Sequence, residues 1–218
     1  MNRIVKATLA ASLITLSGSA LVGFGLNTSG AAVETSVVES SSAAAGEYAV
    51  DIVHSNVLFK IRHGGLAYFY GHFDTFNGSI SIDPDNIESA KFNITVSTGS
   101  VDTNNASRDG HVKNADFFNA RQYPEAIFTS TGISETSSGV YELKGTFDFH
   151  GVTKPVTAKL TDVTFGKQQG KDAIGFHAVF SISRSDFNIT KYVDPSNPEG
   201  GPLGDTVEII VSMEAVND

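Results

Sequence analysis

The stretch IGFHAVFSI, residues 174–182, decides the fold. Apolar side chains stand at every second position, Ile174, Phe176, Ala178, Phe180 and Ile182, which is the period of a strand with one face on a core. The same alternation recurs outward in both directions. Val57, Phe59, Ile61 and His63 share one face, with Leu58, Lys60 and Arg62 on the other. A long strand is predicted from about Tyr68 to Asp83, bent at Gly71 and Gly78, and another over Phe92, Ile94 and Val96. Ile127 to Thr131 follows, then Tyr141 to Phe149 with a bend at Gly145, and Val156 towards Phe165. Val207 to Ala215 closes the chain. The links are short and carry no repeated helix, which excludes parallel crossover units. Eight antiparallel strands make either a sandwich or an up-and-down barrel. Fifteen phenylalanines and no tryptophan serve a filled core or a hollow one equally well.

One segment breaks the rhythm: RDGHVKNADFF, residues 108–118. A helix is predicted there, with His111, Ala115 and Phe118 on one face and Val112 beside them. Asp109 suits its N-terminal dipole. Asn119 accepts a left-handed turn at its end, and Tyr123-Pro124 forces extension before the next strand. So short a helix is marginal alone, and the economical place for its apolar face is across one end of a barrel.

Arg3 and Lys6 precede an apolar run, Ala7–Leu16, and small residues follow. Residues 1–31 are therefore expected to be a signal peptide, cleaved near Ala20 or near Ala31. Residues 32–46, rich in Ser and Ala, read as a flexible tether, and 47–217 as the folded domain. The expected destination is periplasmic or secreted, with no membrane span after cleavage. There is no cysteine, which rules out disulfides and lipoprotein attachment without opposing export. Loss of Arg3 and Lys6 leaves 13 basic against 24 acidic residues, a net charge of −11. That opposes nucleic-acid binding and docking on anionic headgroups.

Cues for catalysis are weak. Six histidines are present, but no HxH or HExxH spacing, so no metal site is expected. There is no GxSxG elbow, dinucleotide fingerprint or P-loop. Arg108-Asp109 and Arg184-Ser185-Asp186 read as charged pairs that brace turns, although either arginine could meet an anionic head group.

Several elements, taken in order, resemble the YceI-like family of lipocalin-like exported proteins. They are His54-Ser55 with Phe59 and His63; Gly71, Phe73, Phe76 and Gly78; and Ser100-Val101-Asp102-Thr103 with Arg108-Asp109-Gly110-His111. They continue with Asp116-Phe117-Phe118, Tyr123-Pro124 and Phe128, then Gly145-Thr146-Phe147 and His150-Gly151-Val152-Thr153-Lys154-Pro155-Val156. Ile182-Ser183-Arg184-Ser185-Asp186-Phe187 and then Asp205 and Val207 complete the set. Asn188 stands where the family usually has glycine, and asparagine tolerates the same left-handed backbone.

The resemblance implies an all-β, eight-stranded antiparallel barrel with the helix at one end. The barrel would enclose an apolar tunnel for a polyisoprenoid, an isoprenoid quinone or a fatty amide. It implies no catalytic set and no cofactor beyond that bound lipid or quinone. On strand parity the lining falls to Phe59, Ile61, Phe73, Phe147, Phe149, Phe176 and Phe180, with Phe117 and Phe118 from the helix. His111, His150 and Arg184 are the candidate head-group contacts. The segment Lys191–Gly204, with three prolines, is an enlarged loop that would alter ligand entry if it lies over a mouth. Two further readings stay open: an enzyme using His111, His150 or Arg184 on the enclosed lipid, and a filled, partner-binding barrel in envelope stress. A homodimer is open as well.

Overall fold

The structure, a computed structural model, describes residues 43–217. The expected signal peptide, its cleavage sites and most of the tether lie outside the described residues. Among the described residues eleven strands form one antiparallel sheet. They are β1 (Gly46–Val50), β2 (Asn56–His63), β3 (Ala67–Phe73), β4 (Phe76–Ile82), β5 (Lys91–Ser97) and β6 (Val101–Asp102). After helix α1 (Ala106–Val112) come β7 (Glu125–Ser137), β8 (Val140–Phe149), β9 (Val152–Gln168), β10 (Lys171–Ser183) and β11 (Leu203–Asn217). The sheet closes where Tyr48–Val50 pair with Ala215–Asn217. The closed ring runs β1-β4-β5-β7-β8-β9-β10-β11, an eight-stranded antiparallel barrel, one of the two arrangements the alternation left open and the one the resemblance implied.

Three of these eight staves are broken, and the breaks account for the extra strands. β2, β3 and β6 continue β1, β4 and β5 past interruptions, so that β2 pairs with both β11 and β3. The long strand expected over 68–83 is one such case. It breaks at Asp74-Thr75, not at the glycines. Ser100 stitches the gap by accepting the Asp74 N–H at its carbonyl, 3.1 Å, and the Thr75 N–H at its hydroxyl, 3.0 Å. Gly71 and Gly78 serve close approach instead. A Cβ at Gly71 would strike the Phe59 ring, and one at Gly78 the Ile94 side chain and the Asn93 carbonyl. The first break, between β1 and β2, is bridged by Ser55. Its hydroxyl donates to the Glu214 carbonyl and accepts the Glu214 N–H.

The last residues assigned to the tether belong to the barrel. Ala43 is buried, Ala44 N–H donates to Asp172, and Tyr48 donates its hydroxyl proton to the Ala44 carbonyl.

The helix is shorter than predicted, ending at Val112 rather than 118. Asn105 caps it, accepting the Arg108 N–H at 3.0 Å. Beyond Val112 the run Lys113-Asn114-Ala115-Asp116 gives up helix for turns. Phe118 N–H reaches back to the Val112 carbonyl, and Ala120 N–H to that of Lys113. Seven helical residues cannot hold themselves in water. Folding the chain back presses Phe117 and Phe118 onto the barrel, a gain that continued helix would forgo. His111, Ala115 and Phe118 therefore share no helical face. Asn119 and Asn188 both adopt positive φ, 46° and 61°, as their positions predict.

Inward parity fills one half of the barrel. Phe92 meets Phe176 edge-on at 5.4 Å, Phe128 lies 6.2 Å from Phe180, and Leu160, Ile80 and Ala215 are fully buried. The half under α1 is hollow.

Candidate functional site

The hollow half is a cavity of about 440 Å³. One wall is the inward face of β2: Val57, Phe59 and Ile61. From there a run of rings crosses the space: Phe59 to Phe73 at 5.8 Å, Phe73 to Phe118 at 5.9 Å, Phe118 to Phe149 at 5.5 Å, and Phe149 to Phe147 at 5.7 Å. Offset and edge-on contacts of this kind favour defined ring positions. Phe117 completes the wall below the helix. Phe176 and Phe180 do not reach this cavity. They border a separate void of about 60 Å³ deeper in the barrel. Val57, Val96, Ala126, Phe147 and Ile209 stand on both. Phe147 packs against Phe149, Phe180 and Phe187, which makes it the partition.

The polar groups gather towards α1 and the segment after β10. Of the three predicted head-group contacts, His111 and Arg184 border the cavity and His150 does not. His150 sits in the β8–β9 turn with its ring 4.6 Å from Tyr123 and Nδ1 2.8 Å from the Phe187 carbonyl. Its Nε2 is buried without a hydrogen-bond partner.

Arg184 is 3 % exposed. It donates to the carbonyls of Gly204, Ile189, Lys191 and Leu203 at 2.8, 3.1, 2.7 and 3.0 Å. Burial pulls its guanidinium below its ordinary pKa, while Asp205 and Glu199 push it back up. Asp205 in turn accepts the Ser185 N–H and hydroxyl. Both ends of the enlarged loop are thereby clasped to one side chain. Tyr192, Pro202 and Leu203 from that loop complete the cavity wall.

Thr103 borders the cavity without having been singled out from the sequence, and Arg108, read there as one of two turn arginines able to meet an anionic head group, borders it as well. Arg108 donates from Nε to Thr103 Oγ1 at 2.9 Å and from Nη2 to the Thr103 carbonyl at 2.7 Å. Its guanidinium lies 4.4 Å from the centre of the Phe69 ring, a cation–π contact. Thr103 gives its N–H and its hydroxyl proton to Asp109 Oδ1, 2.7 and 2.6 Å. These bonds hold the Asp109 carboxyl below its usual range. The motif Arg-Asp-Gly-His signalled this cluster, but its spacing could not say that Thr103 links its members.

Among the described residues two groupings could in principle hold a metal: Asp51 with His54 and Glu214, and His72 with Asp74 and Asp102. Neither borders the cavity. Both sit at the stave breaks, where His54 Nδ1 lies 2.8 Å from Asp51, and His72 Nε2 3.1 Å from Asp74. No helix among the described residues is long and apolar enough to cross a membrane.

A closed eight-stranded barrel, hollow in one half and capped there by a short helix, defines a lipocalin-like class of internal-cavity barrels. The profile of the YceI-like domain matches residues 48–215, and the chain belongs to that family. It is 40% identical over 181 residues to Protein YceI of Salmonella arizonae, covering 81% of this chain and 90% of that one. Among solved structures, BcnA of Burkholderia cenocepacia aligns with a TM-score of 0.65 at 24% identity, over 76% of this chain and 99% of its own. A polyisoprenoid binding domain from Saccharophagus degradans, implicated in plant cell wall breakdown, aligns with a TM-score of 0.59 at 15% identity, over 78% and 98% of the two chains. At these identities the two structures speak for the fold.

Proposed function

We propose that this protein is an exported, periplasmic carrier or storage protein for a long-chain amphiphile, a polyisoprenoid, isoprenoid quinone or similar lipid. The observation that carries the reading is the cavity: phenylalanine and branched aliphatic walls, with polar groups confined to one region. A neighbour in fold that is described as polyisoprenoid binding agrees with it. At roughly 30 Å³ per water-sized group, about 440 Å³ admits about fifteen methylene-sized groups. Each buried methylene is worth about 0.8 kcal/mol before the costs of binding. A filled barrel is disfavoured because only one half is filled. An enzyme is disfavoured because four of the five donors of Arg184 are spent on backbone carbonyls and His150 does not border the cavity, so His111 has neither as an acid–base partner.

The test is a titration with linear or prenyl alcohols of increasing length. Affinity should rise steadily and level off near fifteen carbons. Absence of binding at every length would overturn the carrier reading.

A further inference from the structure

We propose that the amphiphile carries an anionic oxygen head, a carboxylate or a phosphate, and that Arg108 is the residue that selects it. The inference rests on the carrier reading and narrows its ligand. The chain is strongly acidic, yet among the described residues no carboxylate borders the cavity. Its polar members are His63, Thr103, Arg108, His111, Arg184 and Tyr192, all cations, imidazoles or hydroxyls. A wall able to donate and lacking acids suits a ligand whose polar end accepts hydrogen bonds and bears negative charge.

Within that set the donors are not equally free. Arg184 is buried and makes four bonds to carbonyls, so it builds the wall. Arg108 spends Nε and one Nη2 proton on Thr103 and makes no ion pair among the described residues. Among the described residues both protons of Nη1 stay unspent. Thr103 gives its own proton to Asp109, which leaves its hydroxyl lone pairs to receive Nε. Asp109 thereby orients Arg108 through Thr103, and the two charges act on each other without forming an ion pair. The Phe69 ring beneath the guanidinium fixes the plane of the fork. An arginine tied at one edge, supported on its face and free at the other edge is preorganised for an oxyanion. His111, three residues on in the same helix, borders the cavity edge-on to Phe117 at 5.1 Å and supplies a second donor.

Pairs of equal chain separate head from tail: farnesol against farnesyl monophosphate, and hexadecanol against hexadecanoate, titrated into the wild-type protein and variants near neutral pH. One or both acids should bind about tenfold or more tighter than the matching alcohol, the worth of a charge-assisted hydrogen bond. Whichever acid gains more names the head. Arg108→Gln should collapse that gap, and Arg108→Lys should keep part of it. Lys159→Gln, which removes the same charge from an exposed site on β9, should leave the gap intact. Alcohols and acids binding alike to the wild type would overturn the proposal and spare the carrier reading, and this needs no variant to fold. A gap that survives Arg108→Gln, or closes equally in Lys159→Gln, would also overturn it. No binding by any of the four compounds would sink the carrier reading and this proposal together.

Discussion

Replacing Arg184 with alanine separates a wall-building arginine from a ligand-binding one. The side chain makes four hydrogen bonds to carbonyls that lie on both ends of the enlarged loop. Bonds from a charged donor are worth about 1.5–3 kcal/mol each, a gross gain of roughly 6–12 kcal/mol. Burying the cation costs several kcal/mol in return. The expected net loss in Arg184→Ala is about 3–5 kcal/mol, within the range for breaking a buried charged network. For a domain of this size that lowers Tm by roughly 6–20 °C. Urea unfolding followed by far-UV circular dichroism gives the loss directly, and ligand titration below the new Tm gives the rest. The acid-over-alcohol preference should persist in the variant. Stability within about 0.5 kcal/mol of wild type, together with lost head-group preference, would refute the assignment of Arg184 to the wall and return it to the ligand.

Phe147→Ala removes the partition between the two voids, so the chain length at which affinity levels off should lengthen by several carbons. The variant should also lose about 3–5 kcal/mol of stability. An unchanged plateau in the alcohol titration would mean that the partition lies elsewhere. Asp109→Asn bears on pH. The Asp109 carboxyl is held below its usual value, first by the Thr103 hydroxyl. Its contribution is thus present above the unfolded value of about 3.9 and fades as pH falls through the lower folded value. Urea midpoints should show the variant less stable at neutral pH, with the difference beginning to shrink as pH falls below about 4 and gone only below the lower folded value.

Much of this fold is legible in the sequence because a one-sided strand fixes its own parity. Phe59, Ile61, Phe147, Phe149, Phe176 and Phe180 all point inward as the alternation requires. The stave breaks are not legible, since they depend on Ser100 meeting Asp74 and Thr75 across about 25 residues. The helix end is misread for a related reason. Spacing favours continued helix after Val112, and only the barrel end explains why Phe117 and Phe118 turn back. Strand parity likewise cannot tell depth, which is why Phe176 and Phe180 share the lining pattern but border a different void. Arg108 and Arg184 look alike as turn arginines. What distinguishes them is how many donors each has left, and the loop around residues 189–204 decides that for Arg184.

The central claim is that the hollow half of the barrel holds a long-chain amphiphile. Protein purified without detergent from its native compartment, then extracted with organic solvent and analysed by mass spectrometry, tests it most directly. The account predicts recovery of an amphiphile approaching one molecule per folded chain, with emptied protein taking up added prenol or quinone. Well-folded protein that yields no amphiphile and takes up neither would contradict it.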